Sequence, residues 1–236
     1  RRLLGDAGAG ANHRGSPHPA AASPQGEGET VSPPRRLRDG QDAAVIDVGS
    51  NSVRLVVYRI DGRAMTPVLN EKVMAGLGRD LPKTGALAKE GVEASIKALK
   101  RFAALLEAGE VESVFPVATA AVREAKDGRA FAQRIKDETG FDLRILDGAD
   151  EARLSALGVS AGAPDAKGIV GDLGGASLEL VEIGPDGPGR GETFALGPFT
   201  LAREGDEFDY GRVTKQVEAA FEKTKVFPKK SGADFY

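Results

Sequence analysis

Residues 46–55 of this chain read Ile46-Asp47-Val48-Gly49-Ser50-Asn51-Ser52-Val53-Arg54-Leu55. An aliphatic run carries an Asp near its end, four small polar or glycine positions follow, and a second aliphatic run begins at Val53. Small residues between two β-branched runs are typical of a tight hairpin turn. The segment therefore predicts two antiparallel strands, with Asp47 near the end of the first.

The same pattern returns 125 residues later, in Gly171-Asp172-Leu173-Gly174-Gly175-Ala176-Ser177-Leu178-Glu179-Leu180. Laid over each other without gaps, the two segments share three informative pairs: Asp47 with Asp172, Gly49 with Gly174, and Ser52 with Ser177. Two such hairpins, one opening each half of the chain, predict a duplicated domain. We expect the two turns to face each other across a cleft.

The turns carry the features of a phosphate site. Small residues let the backbone approach an anion closely, so that successive N–H groups can point at phosphate oxygens. A carboxylate beside a phosphate would repel it unless a divalent cation lies between them, so Asp47 and Asp172 are candidate ligands of Mg²⁺ or of its waters. A glycine-rich turn with an Asp cap and no ligand is the alternative, and the two aligned copies favour phosphate binding.

Composition limits the chemistry that is available. The 236 residues, enough for one or two domains, include no Cys, and the only two His, His13 and His18, lie in a polar N-terminal stretch. Thiol nucleophiles, cysteine metal sites and histidine-based catalysis are therefore excluded from the globular part. Catalysis there would use carboxylates, hydroxyls, amides, Lys or Arg, and an oxygen-bound metal.

Charge and hydropathy exclude other classes of function. A net charge of -3 argues against nucleic acid as a partner. No apolar run approaches the roughly 18 residues of a membrane span, and the N-terminus lacks a signal-peptide core. We therefore expect a soluble, cytoplasmic protein without a membrane partner.

The rest of the pattern predicts an α/β fold. Residues 1–41 are rich in Gly, Pro, Ala and Ser and predict a disordered polar extension. Strands then alternate with amphipathic helices, which is the pattern of an α/β sheet. Helices are predicted over 90–108, 128–139, 151–161 and 210–223, and strands over 43–48, 52–60, 64–69, 111–118, 141–146, 169–172, 177–183 and 191–196. No complete element is predicted after residue 224.

Four segments in order resemble the exopolyphosphatase and guanosine pentaphosphate phosphohydrolase family. They are the two hairpins, Ala118-Thr119-Ala120-Ala121-Val122-Arg123-Glu124-Ala125, and Ile145-Leu146-Asp147-Gly148-Ala149-Asp150-Glu151-Ala152. The resemblance covers about residues 42–205 and implies an actin-like fold of two ribonuclease-H-like domains with paired phosphate-binding hairpins around a cleft. We assign the extension to 1–41, the first domain to 42–126, the second to 127–224 and a tail to 225–236.

The resemblance also implies an activity, namely Mg²⁺-dependent removal of the terminal phosphate from inorganic polyphosphate or of the 5′ phosphate from guanosine pentaphosphate. Glu151 matches the family's essential Glu in its Gly-x-x-Glu-Ala motif, and Glu124 is a second, weaker catalytic candidate. The remaining candidates are the phosphate cradle Gly49, Ser50, Asn51, Ser52, Gly174, Gly175 and Ser177, the charged donors Arg54 and Arg123, and the metal ligands Asp47 and Asp172.

Two departures from the family leave alternatives open. Some relatives place an acidic residue where this chain has Ala120, which leaves the identity of the general base open. Relatives also continue beyond the second domain, so we expect a C-terminally shortened chain that lacks the closing elements of the first domain. A non-catalytic polyphosphate or nucleotide sensor, an inactive fragment and a sugar or acid kinase are the competing interpretations, and a homodimer is one oligomeric state that the resemblance allows.

Overall fold

The computed structural model describes residues 40–62, 64–201, 209–222, 224–226 and 233–236. The first sheet has five strands, β1 (Asp42–Val48), β2 (Ser52–Asp61), β3 (Ala64–Met74), β4 (Ser113–Ala118) and β5 (Arg144–Ile145). Their spatial order is β3-β2-β1-β4-β5, with β1–β3 antiparallel and β4 and β5 parallel to β1. The helices that accompany this sheet are α1 (Leu81–Thr84), α2 (Lys89–Ala108), α3 (Ala120–Glu124) and α4 (Gly128–Thr139).

The second sheet repeats this plan on a smaller scale. Its strands are β6 (Gly168–Leu173), β7 (Leu178–Gly184), β8 (Gly187–Phe194) and β9 (Asp234–Phe235), in the order β8-β7-β6-β9. The helices of this half are α5 (Gly148–Gly162), α6 (Pro198–Leu201) and α7 (Tyr210–Phe221). In the second sheet, Gly168 of β6 pairs in parallel with Asp234 of β9. In the first sheet, Ala43 of β1 pairs in parallel with Ser113 of β4, so β9 is the equivalent of β4.

The first core lies on one face of the first sheet. Alternate residues of β1 and β2, such as Ile46 and Leu55, are fully buried against Leu99 and Phe102 of α2. Burying each such side chain contributes about 1.5–3 kcal/mol. Because successive side chains of a strand point to opposite faces, Asp47 and its neighbours across β2 lie on the face away from α2.

The second sheet packs helices on both faces. Ala152 and Ala156 of α5 cover one face, where they contact Val170 and Val181. On the other face, the rings of Phe194 and Phe221 meet edge to face at 5.6 Å. Among the described helices, none is long and apolar enough to span a bilayer.

The structure corrects several expectations. The predicted boundary at 126 separates α4 from the first sheet, but Phe131 and Ile135 of α4 belong to the first core, and β5 pairs with β4. Residues 141–146 form a strand only at Arg144–Ile145. The predicted tail 225–236 contains β9, which the sequence pattern did not show because two residues are too short for alternation. The predicted extension lies outside the described residues, apart from positions 40 and 41.

A pair of helix glycines tests the packing of α2. A Cβ added at Gly91 would lie 2.8 Å from the Cα of Leu77, whereas one added at Gly158 in α5 would meet nothing within 4 Å. We expect Gly91→Ala to lower the free energy of unfolding by about 1–3 kcal/mol because the backbone must shift. Gly158→Ala should raise it by about 0.5–1 kcal/mol because Ala favours the helix.

Urea unfolding followed by circular dichroism measures both changes. Equal stabilisation by the two substitutions would contradict the close contact between α2 and the segment at Leu77.

Candidate active site

The first hairpin turn holds its carbonyl groups by hydrogen bonds from the chain that follows β3. The N–H of Gly49 donates to Ser52 O at 3.0 Å and closes the turn. The N–H of Gly78 donates to Ser50 O at 2.8 Å, and that of Gly76 donates to Asn51 O at 2.9 Å. Among the described residues, no acceptor takes the N–H groups of Ser50 and Asn51. This turn therefore keeps donors available for an anion.

The second turn is held in the same way by the chain that follows β8. The N–H of Gly174 donates to Ser177 O at 2.9 Å, which reproduces the closure of the first turn. The carbonyls at the two middle positions, Gly175 and Ala176, accept from Phe199 N at 2.9 Å and from Gly197 N at 3.0 Å, respectively. Here too, the N–H groups of both middle positions have no acceptor in the described part of the chain.

The two turns meet directly. A Cβ added at Gly175 would lie 3.0 Å from the Cβ of Ser50 and 3.3 Å from the ring of Phe199. Glycine at position 175 is thus required by the approach of the opposite turn. The contact brings together two sets of N–H donors that are more than 100 residues apart in sequence, as the internal repeat predicts.

Two carboxylates lie opposite each other beside the second turn. Asp172 of β6 pairs with Glu179 of β7, and Ser155 Oγ of α5 donates to Asp172 Oδ2 at 2.5 Å. Glu179 is 1% exposed, and neither of its carboxylate oxygens has a hydrogen bond of good geometry. Burial raises the pKa of Glu179 to about 7 against an opposing effect of the Ser177 hydroxyl, and the charges of Glu151 and Asp172 raise it further. Adjacent acids of this kind are destabilising without a cation.

Asp47 extends this acidic group to the first turn. Its Oδ1 atom is buried without a hydrogen-bond partner. Burial, together with the charges of Glu151 and Asp172, raises the pKa of Asp47 to about 6. The positive charges of Arg54 and Lys72 oppose that rise. The two repeats therefore share one electrostatic environment.

Arg123 and Glu151 form an ion pair between α3 and α5. Arg123 Nη1 donates to Glu151 Oε2 at 3.0 Å and to the carbonyl of Leu146 at 2.9 Å. Burial raises the pKa of Glu151, and the hydrogen bond from Arg123 opposes this. The Asp147 side chain caps α5 by accepting from Asp150 N at 2.7 Å, which sets the first turn of that helix and with it Glu151.

The structure thus brings both turns, Asp47, Asp172, Arg123 and Glu151 to one place. Arg54 lies opposite Asp47 on the exposed face, and its Nε donates to Asn70 Oδ1 at 2.9 Å. The Glu124 side chain is 55% exposed, and its Oε1 atom lies 3.5 Å from Nη2 of Arg123. Of the two catalytic candidates, Glu151 is therefore the one enclosed by the site.

Sequence reasoning missed two polar residues of the site. Glu179 lies in the quoted repeat, where it is equivalent to Arg54, and both of these residues lie opposite the repeated Asp. A check of cross-strand partners within the predicted hairpins could have found it. No motif in the sequence pointed to Ser155, because its hydrogen bond to Asp172 depends on how α5 packs on the second sheet.

The donor set fits Mg²⁺. The candidate metal ligands are the carboxylate oxygens of Asp47, Asp172 and Glu179. Both carboxylate oxygens of Glu179 and the Oδ1 atom of Asp47 lack a hydrogen-bond partner of good geometry. Within the described ranges, no three acidic or histidine side chains converge as a ready coordination sphere. Mg²⁺ is commonly held by one or two carboxylates, with waters and substrate phosphates as its other ligands.

Duplicated α/β units with paired hairpin turns around acidic residues define the actin-like fold class. Similar solved structures agree: a Ppx/GppA family member from Aquifex aeolicus has a TM-score of 0.65 and 28% identity, and covers 78% of this chain and 61% of that chain. An exopolyphosphatase from Cytophaga hutchinsonii has a TM-score of 0.70 and 27% identity, over 77% and 60% of the two chains. The predicted fold class is confirmed.

The chain belongs to the Ppx/GppA phosphatase family, whose model matches residues 56–232. It is 32% identical to exopolyphosphatase 1 of Mycobacterium tuberculosis H37Rv over 163 residues, which are 68% of this chain and 47% of that protein. Exopolyphosphatase 1 of Mycobacterium leprae is 33% identical over 165 residues, 68% of this chain and 48% of its own length. The chain spans about half the length of the curated relatives that it matches.

Replacing Glu179 with Gln tests the electrostatics of the site. A carboxyl whose pKa is about 7 in the folded chain, against the ordinary 4.5, takes up a proton on folding. In metal-free buffer, the free energy of unfolding should therefore fall as the pH rises from about 4.5 to about 7, by up to about 3 kcal/mol. We expect Glu179→Gln to remove most of this fall, measured by urea unfolding across that range with EDTA present.

Glu182→Gln, on the same strand, is the matched control and should leave the fall in place. Because the pKa of Asp47 is raised as well, Asp47 adds a further fall in the free energy of unfolding as the pH rises. Comparison of Asp47→Asn with the wild type measures this contribution. An unchanged pH profile in Glu179→Gln would show that its buried carboxyl does not titrate in this range.

Proposed function

We propose that this protein hydrolyses the terminal phosphoanhydride bond of inorganic polyphosphate and releases orthophosphate with the help of Mg²⁺. The observation that carries the proposal is the meeting of the two turns at Ser50 and Gly175, each with open backbone donors beside unpartnered carboxylates. Membership of the Ppx/GppA phosphatase family and the similarity to mycobacterial exopolyphosphatases support the same activity.

Backbone donors would bind the terminal phosphate. The N–H groups of Ser50, Asn51, Gly175 and Ala176 are free of backbone acceptors in the described structure, and their carbonyls are tied back. A preorganised donor set of this kind stabilises the charge that develops on phosphoryl oxygens without rearranging during the reaction. The small side chains of the turns leave the backbone accessible to the anion.

The carboxylates would hold the metal and direct the water. Asp172 and Glu179 are the proposed ligands, and Asp47 would bind through a water; the bound ion would supply charge neutralisation at the phosphoryl oxygens. Ser155 orients Asp172 by its hydrogen bond. Glu151 remains our proposed base, because its ion pair with Arg123 engages Oε2 and leaves Oε1 to accept a proton from water.

Guanosine pentaphosphate is the second candidate substrate. It presents a terminal phosphoanhydride of the same chemistry, and the resemblance of the four sequence segments implies this substrate as well as polyphosphate. A polyphosphate-binding protein without turnover is the third candidate, because the family resemblance implies an acidic residue in some relatives where this chain has Ala120. Parallel assays with the two substrates distinguish the first two, and binding without phosphate release indicates the third.

Substitution of Asp172 tests the metal-dependent reaction. We expect Asp172→Asn to lower phosphate release from polyphosphate by at least about tenfold at limiting Mg²⁺, with partial recovery at high Mg²⁺, because a ligand charge is lost. Release is measured colorimetrically with Mg²⁺ and with EDTA. Asp186→Asn, in the turn between β7 and β8, is the control and should behave as the wild type.

Two results would contradict this proposal. Equal Mg²⁺ dependence in wild type and Asp172→Asn would exclude Asp172 as a ligand. Absence of release by the wild-type chain with either substrate, while polyphosphate still binds, would favour the non-catalytic interpretation.

A further inference from the structure

Two cations lie side by side on the exposed face of the first sheet. The antiparallel register of β2 and β3 sets Lys72 directly opposite Arg54, and the register of β1 and β2 sets Arg54 opposite Asp47. The three residues therefore form one row across the sheet, with neighbouring strands roughly 4.8 Å apart. The row begins beside the first turn and ends on β3, the edge strand.

Neither Arg54 nor Lys72 makes a salt bridge among the described residues, although the charges of both act on the Asp47 carboxylate of the same row. In the described structure, Arg54 donates only to the neutral amide of Asn70, and no acidic side chain lies within ion-pair distance of Lys72. Like charges directly opposite each other on a sheet are destabilising.

A second Arg on the same strand shows the contrast. Arg59, on β2, lies opposite Asp42 and makes two hydrogen bonds to its carboxylate, at 2.9 and 2.8 Å. Arg59, at the end of β2 far from the turn, therefore makes a salt bridge, whereas Arg54, near the turn, makes none in the described structure. Two cations against one carboxylate leave the row with a net positive charge next to a set of backbone donors, which is the charge arrangement of an extended anion site.

The positions of the cations relative to the turns specify the shape of the anion. The turns would hold one phosphate. Arg54 lies one strand away from Asp47, and Lys72 lies two strands away, so the backbone positions of Asp47 and Lys72 are roughly 10 Å apart. A single phosphate at the turns cannot contact Lys72 across two strand spacings. An anion that carries several phosphates in a row can.

We propose that Arg54 and Lys72 form a binding site for internal phosphates of a polyphosphate chain whose terminal phosphate lies at the two turns. This inference rests on the proposed function and extends it, since it assigns to Lys72 a role in binding long chains. The Arg54 guanidinium, which donates to Asn70, offers directed hydrogen-bond donors to phosphate. The Lys72 ammonium adds a point charge on a flexible side chain at the edge of the sheet.

The test compares Lys72→Gln with Arg59→Gln in the 236-residue chain. Affinity for end-labelled long-chain polyphosphate is measured by fluorescence anisotropy over a range of salt, and affinity for pyrophosphate by calorimetry. We expect Lys72→Gln to weaken long-chain binding by roughly tenfold, the effect of one charge-assisted contact. Its salt dependence should become shallower, because one cation fewer displaces counterions.

Three further results are expected. Lys72→Gln should bind pyrophosphate as the wild type does, because that ligand is too short to reach position 72. Lys72→Arg should restore long-chain binding. Arg59→Gln should leave both affinities unchanged, since Asp42 already neutralises Arg59.

Each remaining outcome overturns the inference in a recognisable way. Equal long-chain affinity in wild type and Lys72→Gln, with phosphate release intact, removes the role of Lys72 and leaves the proposed function standing. Equal loss in Lys72→Gln and Arg59→Gln would indicate a general charge effect instead of a site. A wild-type chain that neither binds nor hydrolyses polyphosphate overturns the inference and the proposed function together.

Discussion

The antiparallel register of each hairpin places a charged residue directly opposite an aspartate, and the chemistry of the site follows from that pairing. In the first repeat Asp47 faces Arg54, whereas in the second Asp172 faces Glu179. The position opposite the repeated Asp is thus positively charged in the first hairpin and acidic in the second. Since the carbonyls of both turns are tied to the chain behind them, each turn presents N–H donors to the shared space. Backbone N–H donors and buried carboxylates are consequently adjacent.

This arrangement reduces the stability of the metal-free chain. Glu179 is buried without a hydrogen bond of good geometry, and it lies opposite Asp172 on the neighbouring strand. Buried carboxylates without partners are costly, and the cost is partly met by taking up protons. Surface ion pairs such as Arg59 with Asp42 contribute little in return. A bound cation and a polyphosphate chain would compensate the unpaired charges of both repeats, so ligand binding and folding stability should be coupled.

Much of the architecture was predictable from local patterns. The helix at 128–139 and the helix at 90–108 were found almost residue for residue because their apolar spacing is regular. The repeat and the turns followed from motifs, as did the choice of Arg123 and Glu151 as candidate site residues, whereas their ion pair was not predicted. The assignment of α4 to the first sheet was missed because both domains offer an apolar face to such a helix, and β9 was missed because its partner strand lies about 65 residues earlier.

The sequence by itself determined the duplicated hairpins, the order of the four long helices and the residue types available for catalysis, because these depend on contacts between near neighbours and on composition. The tertiary structure alone decided which of these residues meet. It set Ser50 against Gly175, placed Ser155 on Asp172 and buried Glu179 without a hydrogen bond of good geometry. Those contacts join segments far apart in the chain, and their geometry depends on how α5 and the two sheets pack, which no local pattern specifies.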